Sequence, residues 1–150
     1  MASVIPNSLK GRLFGDDSII SSAINLKTDT LKLSLHTSSL TPSEDDDEFF
    51  DDLDSEVSTS GSYTAGIAGG YALVSVTVTT NDTSNRGILD AADVSITGAS
   101  ITARYAVIRK DTGVASTSPI IAIIDLGSNI TSTAGTFAIT WDSAGILYLA

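Results

Sequence analysis

Leu31-Lys32-Leu33-Ser34-Leu35-His36 alternates strictly between apolar and polar side chains, the period of a half-buried β-strand. In that reading the three leucines point inward and His36 points to solvent. The same period returns further along the chain. Ala72, Val74, Val76 and Val78 alternate with Leu73, Ser75, Thr77 and Thr79. A strand is expected around Ala92, Val94 and Ile96, and another through Ile101, Ala103, Tyr105 and Val107 with Arg104 and Lys110 opposite. Phe137, Ile139 and Trp141 alternate again, and residues 146–149 form the last strand. Ile120-Ile121-Ala122-Ile123-Ile124 is unbroken, so it is expected to be covered on both faces. Turns are expected at Gly98-Ala99-Ser100, Asp111-Thr112-Gly113, residues 132–135 and Asp142-Ser143-Ala144-Gly145, with a polar loop over 81–87. Short strands with a turn signal roughly every ten residues predict an all-β fold, an antiparallel β-sandwich or jelly roll.

Composition agrees. Ser (22) and Thr (18) are abundant, while charged residues make up only 17% of the 150. The apolar share of 42% and a mean hydropathy of +0.22 argue for a packed core and against disorder. There is no cysteine, so disulfides, thiol chemistry and zinc–thiolate sites are excluded. No apolar run is long enough to cross a membrane as a helix, and no apolar stretch behind Lys10 and Arg12 suggests a secretory signal.

The remaining segments frame this sheet. Residues 1–23 read as an N-terminal arm with one or two helical turns, weakened by Gly11 and Gly15, and 24–150 as one domain. Lys27-Thr28-Asp29-Thr30 is turn-like and predicts that residues 24–26 pair back onto 31–36 as a hairpin. Residues 48–55 predict a short helix with Phe49, Phe50 and Leu53 on one face, capped by Ser43. Residues 58–70, rich in Gly, Ser and Ala, predict a loop that approaches another backbone closely.

Charge is concentrated in one place. Glu44, Asp45, Asp46, Asp47, Glu48, Asp51, Asp52, Asp54 and Glu56 crowd into thirteen residues with no base among them. The other nine acids face eight bases, so the net charge of −10 belongs almost wholly to this segment. Without clustered Lys and Arg, neither nucleic acid nor an anionic membrane is an expected partner. The acids lack the spacing and glycine of an EF-hand, and Phe49 falls where a calcium ligand would stand. A solvated acidic loop is the preferred reading; the alternatives are a docking element, with Phe49 and Phe50 packed into a neighbour and the acids meeting its basic residues, and a calcium site. His36 is the only histidine, no Gly-x-Ser-x-Gly or phosphate-binding glycine loop occurs, and no carboxylate pair stands out. No catalytic residue, cofactor or metal is therefore expected.

Several stretches, taken in order, resemble a family of small tailed-bacteriophage virion proteins. They are Ile24-Asn-Leu-Lys-Thr-Asp-Thr-Leu-Lys32, Glu48-Phe-Phe-Asp-Asp-Leu-Asp-Ser-Glu-Val-Ser58, Tyr63-Thr-Ala-Gly66 and Ala91-Ala-Asp-Val94. Ile101-Thr-Ala-Arg-Tyr-Ala-Val107, Lys110-Asp-Thr-Gly113, Ser118-Pro-Ile120, Ser132-Thr-Ala-Gly-Thr-Phe137 and Thr140-Trp-Asp142 follow. Two features depart from the family. It tends to carry a histidine ahead of Phe-Phe-Asp-Asp, where Asp46, Asp47 and Glu48 stand here, and residues 14–23 are longer than usual.

The resemblance implies a structural part of the particle rather than an enzyme. The expected role is a capsid decoration or cement protein on the virion surface, made in the bacterial cytoplasm. Its partner would be the major capsid protein, with neighbouring capsomers bridged. A tail, neck or fibre component that recognises a host receptor or glycan is the alternative. Many short strands with few charged edges suggest a homo-oligomer, a trimer as first guess. The residues expected to dock onto a capsid or second subunit are Val4, Ile5, Leu9, Leu13 and Phe14 in the arm, and Phe49, Phe50 and Leu53 in the acidic segment.

Overall fold

The structure, a computed structural model, describes residues 4–15 and 23–150. It is all-β and antiparallel, with two sheets. One helix, α1 (Asn7–Leu13), precedes β1 (Leu31–His36), β2 (Tyr71–Ala72), β3 (Thr77–Asn81), β4 (Arg86–Asp90), β5 (Val94–Lys110), β6 (Ile120–Ile139) and β7 (Leu147–Leu149). The first sheet has the order β2-β1-β5-β6 and the second β3-β4-β7. β1 forms over the residues its alternation predicts, and Ile120 to Ile123 are buried as expected. The last strand also stands where expected.

Several boundaries differ, each for a physical reason. The turns expected at 98–100 and 132–135 lie inside β5 and β6. There Gly98 and Ala134 adopt positive φ and the register shifts between Ile96/Ala99 and Ala99/Ile101. These are β-bulges, which bend a long ribbon without ending it. The strand expected over 72–79 is interrupted after Ala72, where Ser75 turns to φ 55°, and resumes at Thr77. The loop over 81–87 is shorter than expected because Arg86 and Gly87 already pair with Asn81 and Thr80. Residues 24–26 form no strand. Asp29 bends that segment instead, its carboxylate accepting the Asn25 N–H while its backbone N–H donates to the Asn25 carbonyl.

The helix expected over 48–55 shrinks to one 3-10 turn, Phe50–Asp52. Its N-terminal half is held extended by main-chain bonds from Phe50 N–H to Ser118 O (3.0 Å) and Ile120 N–H to Glu48 O (2.9 Å). Pairing with another segment outcompeted helix formation. Ser43 caps the turn at 44–46 instead, its hydroxyl accepting the Asp46 N–H at 3.1 Å. The close approach expected of residues 58–70 is present. Gly61, at φ 58°, lies against the Thr97 and Gly98 backbone, where a Cβ would collide.

The main core joins the two sheets through Leu31, Leu33, Leu35, Ile96, Ile108, Phe137 and Leu89. A smaller cluster of Leu40, Phe50, Tyr105, Val107, Ile120 and Ile123 covers the opposite face of β1, β5 and β6. The cover on that side is Leu40, the acidic segment with Phe50 and Leu53, Val4 of the arm and Ile67, not a sheet.

Candidate interaction surface

The N-terminal arm does not stand free. Val4 joins β6 by reciprocal main-chain bonds with Ile123 (2.7 and 2.8 Å), so the arm guards part of that sheet edge. Leu9 is 0% exposed and belongs to the main core, with Ile5 packed against it. The reading of Val4, Ile5 and Leu9 as residues of a docking arm is corrected: they pack on the chain's own domain. The part of the expected N-terminal arm at residues 1–3 and 16–22 lies outside the described residues.

Acidic residues hold the arm down. Lys10 pairs with Glu44 (3.2 Å) and Arg12 with Glu48 (3.8 Å), while Asn7 donates its side-chain amide to Asp45 (2.7 Å). The buried Arg12 guanidinium also lies over the Phe49 ring, 4.7 Å from its centroid. The acids therefore meet basic partners, and those partners are in the same chain. Asp47 is the exception to a water-facing segment. It is buried, accepts the Ser43 N–H (2.8 Å), and burial holds its carboxyl above the usual range. Asp52 accepts two backbone N–H groups, from Phe49 (2.8 Å) and Glu48 (3.1 Å). Among the described residues no three acidic or histidine side chains converge as metal ligands would.

Beneath the segment lies a buried polar network that the alternation pattern misplaced. His36 is buried, not solvent-facing. Its Nδ1 is 2.7 Å from the Asp54 carbonyl, which can only accept, so Nδ1 carries the proton and Nε2 accepts from the Ser34 hydroxyl at 3.0 Å. Burial lowers its pKa, against the pull of the Asp54 carbonyl and the Glu56 charge. Arg109, 0% exposed, stacks on Phe50 with its guanidinium 4.1 Å from the ring centroid. It donates to the Ile67 and Gly69 carbonyls (both 3.2 Å) and to Gly66 O (3.4 Å). Gly70 leaves room for that guanidinium: a Cβ there would sit 3.2 Å from both terminal nitrogens. Tyr63 donates to Glu56 (2.7 Å) and accepts the Leu35 N–H (3.0 Å), while Glu56 also accepts from Gly66 N–H (2.9 Å). One network thus ties β1, β5, the acidic segment and the glycine loop together.

Ser34 and His36 have the spacing of a nucleophile and its base, but Ser34 is fully buried. Three grooves formed by described residues are lined by neither Ser34 nor His36. One is hydroxyl-rich, between residues 56–60 and 100–102. A second lies between β6, Val4 and β7, and a third is apolar, on β3, β4 and β7.

Of the eight residues expected to dock, Leu9, Phe49 and Phe50 are buried, and Val4, Ile5 and Leu53 are packed within the chain. Only Leu13 and Phe14 present large apolar surface. Sequence reasoning missed Val78 and Leu149, which are exposed and line one groove with Leu13. Comparison with protein-family models, with curated proteins and with solved structures returns no match.

Proposed function

We propose that this chain is a non-enzymatic structural protein of a bacteriophage particle, a decoration or cement protein that binds the major capsid protein and bridges neighbouring capsomers. The observation that carries the reading is the ordered set of segments shared in character with small virion proteins. Their placement adds to it. Residues 48–58, 63–66, 101–107 and 118–120 meet around Arg109, His36 and Tyr63, so the resemblance falls on the scaffold that packs the acidic segment against the sheet. A scaffold of β-strands whose Ser–His pair is sealed inside suits a binding part better than a catalyst.

Copy number on purified particles tests the assignment. A cement protein is expected at an abundance close to that of the major capsid protein on a stained gel. A band at the level of tail proteins transfers the chain to the tail, neck or fibre, and absence from particles ends the virion reading altogether.

A further inference from the structure

Val78, Leu89 and Leu147 lie opposite one another across β3, β4 and β7, and Leu149 is two residues further along the same face. With Leu13 and Leu26 at the rim they enclose a groove of about 170 Å³ lined by no charged residue. Phe14, which follows the lining residue Leu13 in the chain, is 95% exposed. Main-chain bonds close the end of α1 at this residue: Phe14 N–H donates to Gly11 O (3.0 Å) and Gly15 N–H to Arg12 O (3.1 Å). A solvated aromatic ring one residue from an apolar groove that no described residue fills calls for an occupant.

We propose that the occupant is Phe14 of a second copy of this chain, each copy offering its ring to the other's groove. The size fits, because a cavity of about 150 Å³ already accepts a benzene ring. The topology fits as well. Knob and groove rim are adjacent residues, Phe14 and Leu13, so one surface patch carries both halves of the contact and closes under a two-fold axis. Phe14 and the exposed parts of Leu13, Val78 and Leu149 offer on the order of 400 Å² per copy, about 800 Å² for the pair, so a modest rim brings the contact to the minimum of about 1,000 Å² for a specific interface. Among the described residues β7 pairs only with β4, and it carries neither charge nor proline to guard its other edge. The copies carry net charge −10 each, yet no acid lines the groove. Contact is apolar and the long-range force repulsive, so added salt strengthens association by screening. The inference stands apart from the capsid reading and is tested on the isolated protein.

Sedimentation of the full chain between about 1 and 100 μM, in low and high sodium chloride, is the experiment. Dimers are expected, tighter in high salt. Phe14→Ala and Leu149→Asp are each expected to weaken association about tenfold or more, with the melting temperature of the Phe14 variant unchanged. Mixing the two variants leaves one intact ring-and-groove pair and is expected to give a heterodimer tighter than either variant's homodimer. A wild-type monomer at 100 μM in both salts overturns the proposal, as does a dimer indifferent to Phe14→Ala. A monomer destabilised by Leu149→Asp alone assigns the groove to the chain's own residues. A monomer that needs Phe14 only to bind particles assigns it to a capsid partner. Either result also overturns the second-copy reading.

Discussion

The two halves of β5 run through different environments. From Val94 to Ala103 buried and exposed residues largely alternate, interrupted where the strand bulges near Gly98. From Tyr105 to Lys110 every residue is buried, Arg109 and Lys110 included. The first half is covered on one face, so its sequence reports its burial directly. The second half is covered on both, by the core on one side and by Phe50, Leu40 and the polar network on the other. Where loops replace a sheet as cover, polar side chains are recruited inside, because irregular backbone brings carbonyls that need donors. Arg109 answers the glycine-loop carbonyls, and His36 answers that of Asp54.

The largest expected effect sets these halves against each other. Arg109→Ala removes the stack on Phe50 and leaves the glycine-loop carbonyls without their donor. It is expected to cost about 3–5 kcal/mol in denaturant unfolding. Thr102→Ala, exposed in the first half of the same strand, is expected to stay within about 0.5 kcal/mol. Phe50→Ala is expected to lose about 3 kcal/mol or more, and the double variant with Arg109→Ala less than the sum, since the two side chains touch. Equal costs at Arg109 and Thr102 would erase the distinction between the halves.

The same contrast explains what could be read in the sequence. β1, the buried run at 120–123 and the final strand were legible because a single local rule, alternation or its absence, governed them. Arg109 was nearly legible. It continues the odd-numbered series Tyr105, Val107 onto one face, opposite Lys32 in β1, yet its charge argued for solvent. His36 was misread for the same reason: parity gave its face correctly, but not the loop that covers that face. The bulges at Gly98 and Ala134 carry the same small residues as turns, and only pairing across the ribbon separates the two. Phe49 and Phe50, expected at a docking face, are buried within the chain, and Leu53 is half-buried. Their helical spacing misled because main-chain pairing with 118–120 held them extended. The apolar groove was beyond reach, since Val78, Leu89 and Leu147 meet only through strand order.

A smaller effect should appear with pH. His36 is neutral in its buried site with a lowered pKa, whereas in the unfolded chain it titrates near 6.5. The unfolded state therefore binds the extra proton first, so stability falls as pH drops below about 6.5 and stops falling past the folded pKa. The slope contributed is at most about 1.4 kcal/mol per pH unit. Asp125, held low by the Arg104 fork at 2.7 and 2.8 Å, adds its own loss only at and below about pH 3.8. Unfolding of the wild type from pH 7 to 5 is expected to show the slope, and His36→Asn to flatten it. A slope unchanged in the variant would place the titration elsewhere and return His36 to a solvated role.

The smallest effect concerns the acidic segment itself, where burial and solvation can be told apart within three consecutive residues. Asp45 and Asp46 are exposed, while Asp47 is buried with its carboxyl held above the usual range, first by burial and then by the nearby Asp52 and Asp46 charges. A raised pKa means the folded state holds its proton longer than the unfolded state. Stability from this group is present below about pH 3.8 and is lost as pH rises through the folded value. Asp47→Asn keeps an oxygen to accept the Ser43 N–H and removes the charge. It is expected to raise the denaturation midpoint slightly at pH 7 and to leave it unchanged near pH 3. Asp45→Asn is expected to change the midpoint little at either pH, apart from its bond to Asn7, because its carboxylate remains in water. If Asp47→Asn instead destabilises at pH 7, its charge is engaged by a cation. The acidic segment would then be a clasp for a positive partner rather than a lid held down by Phe49 and Phe50.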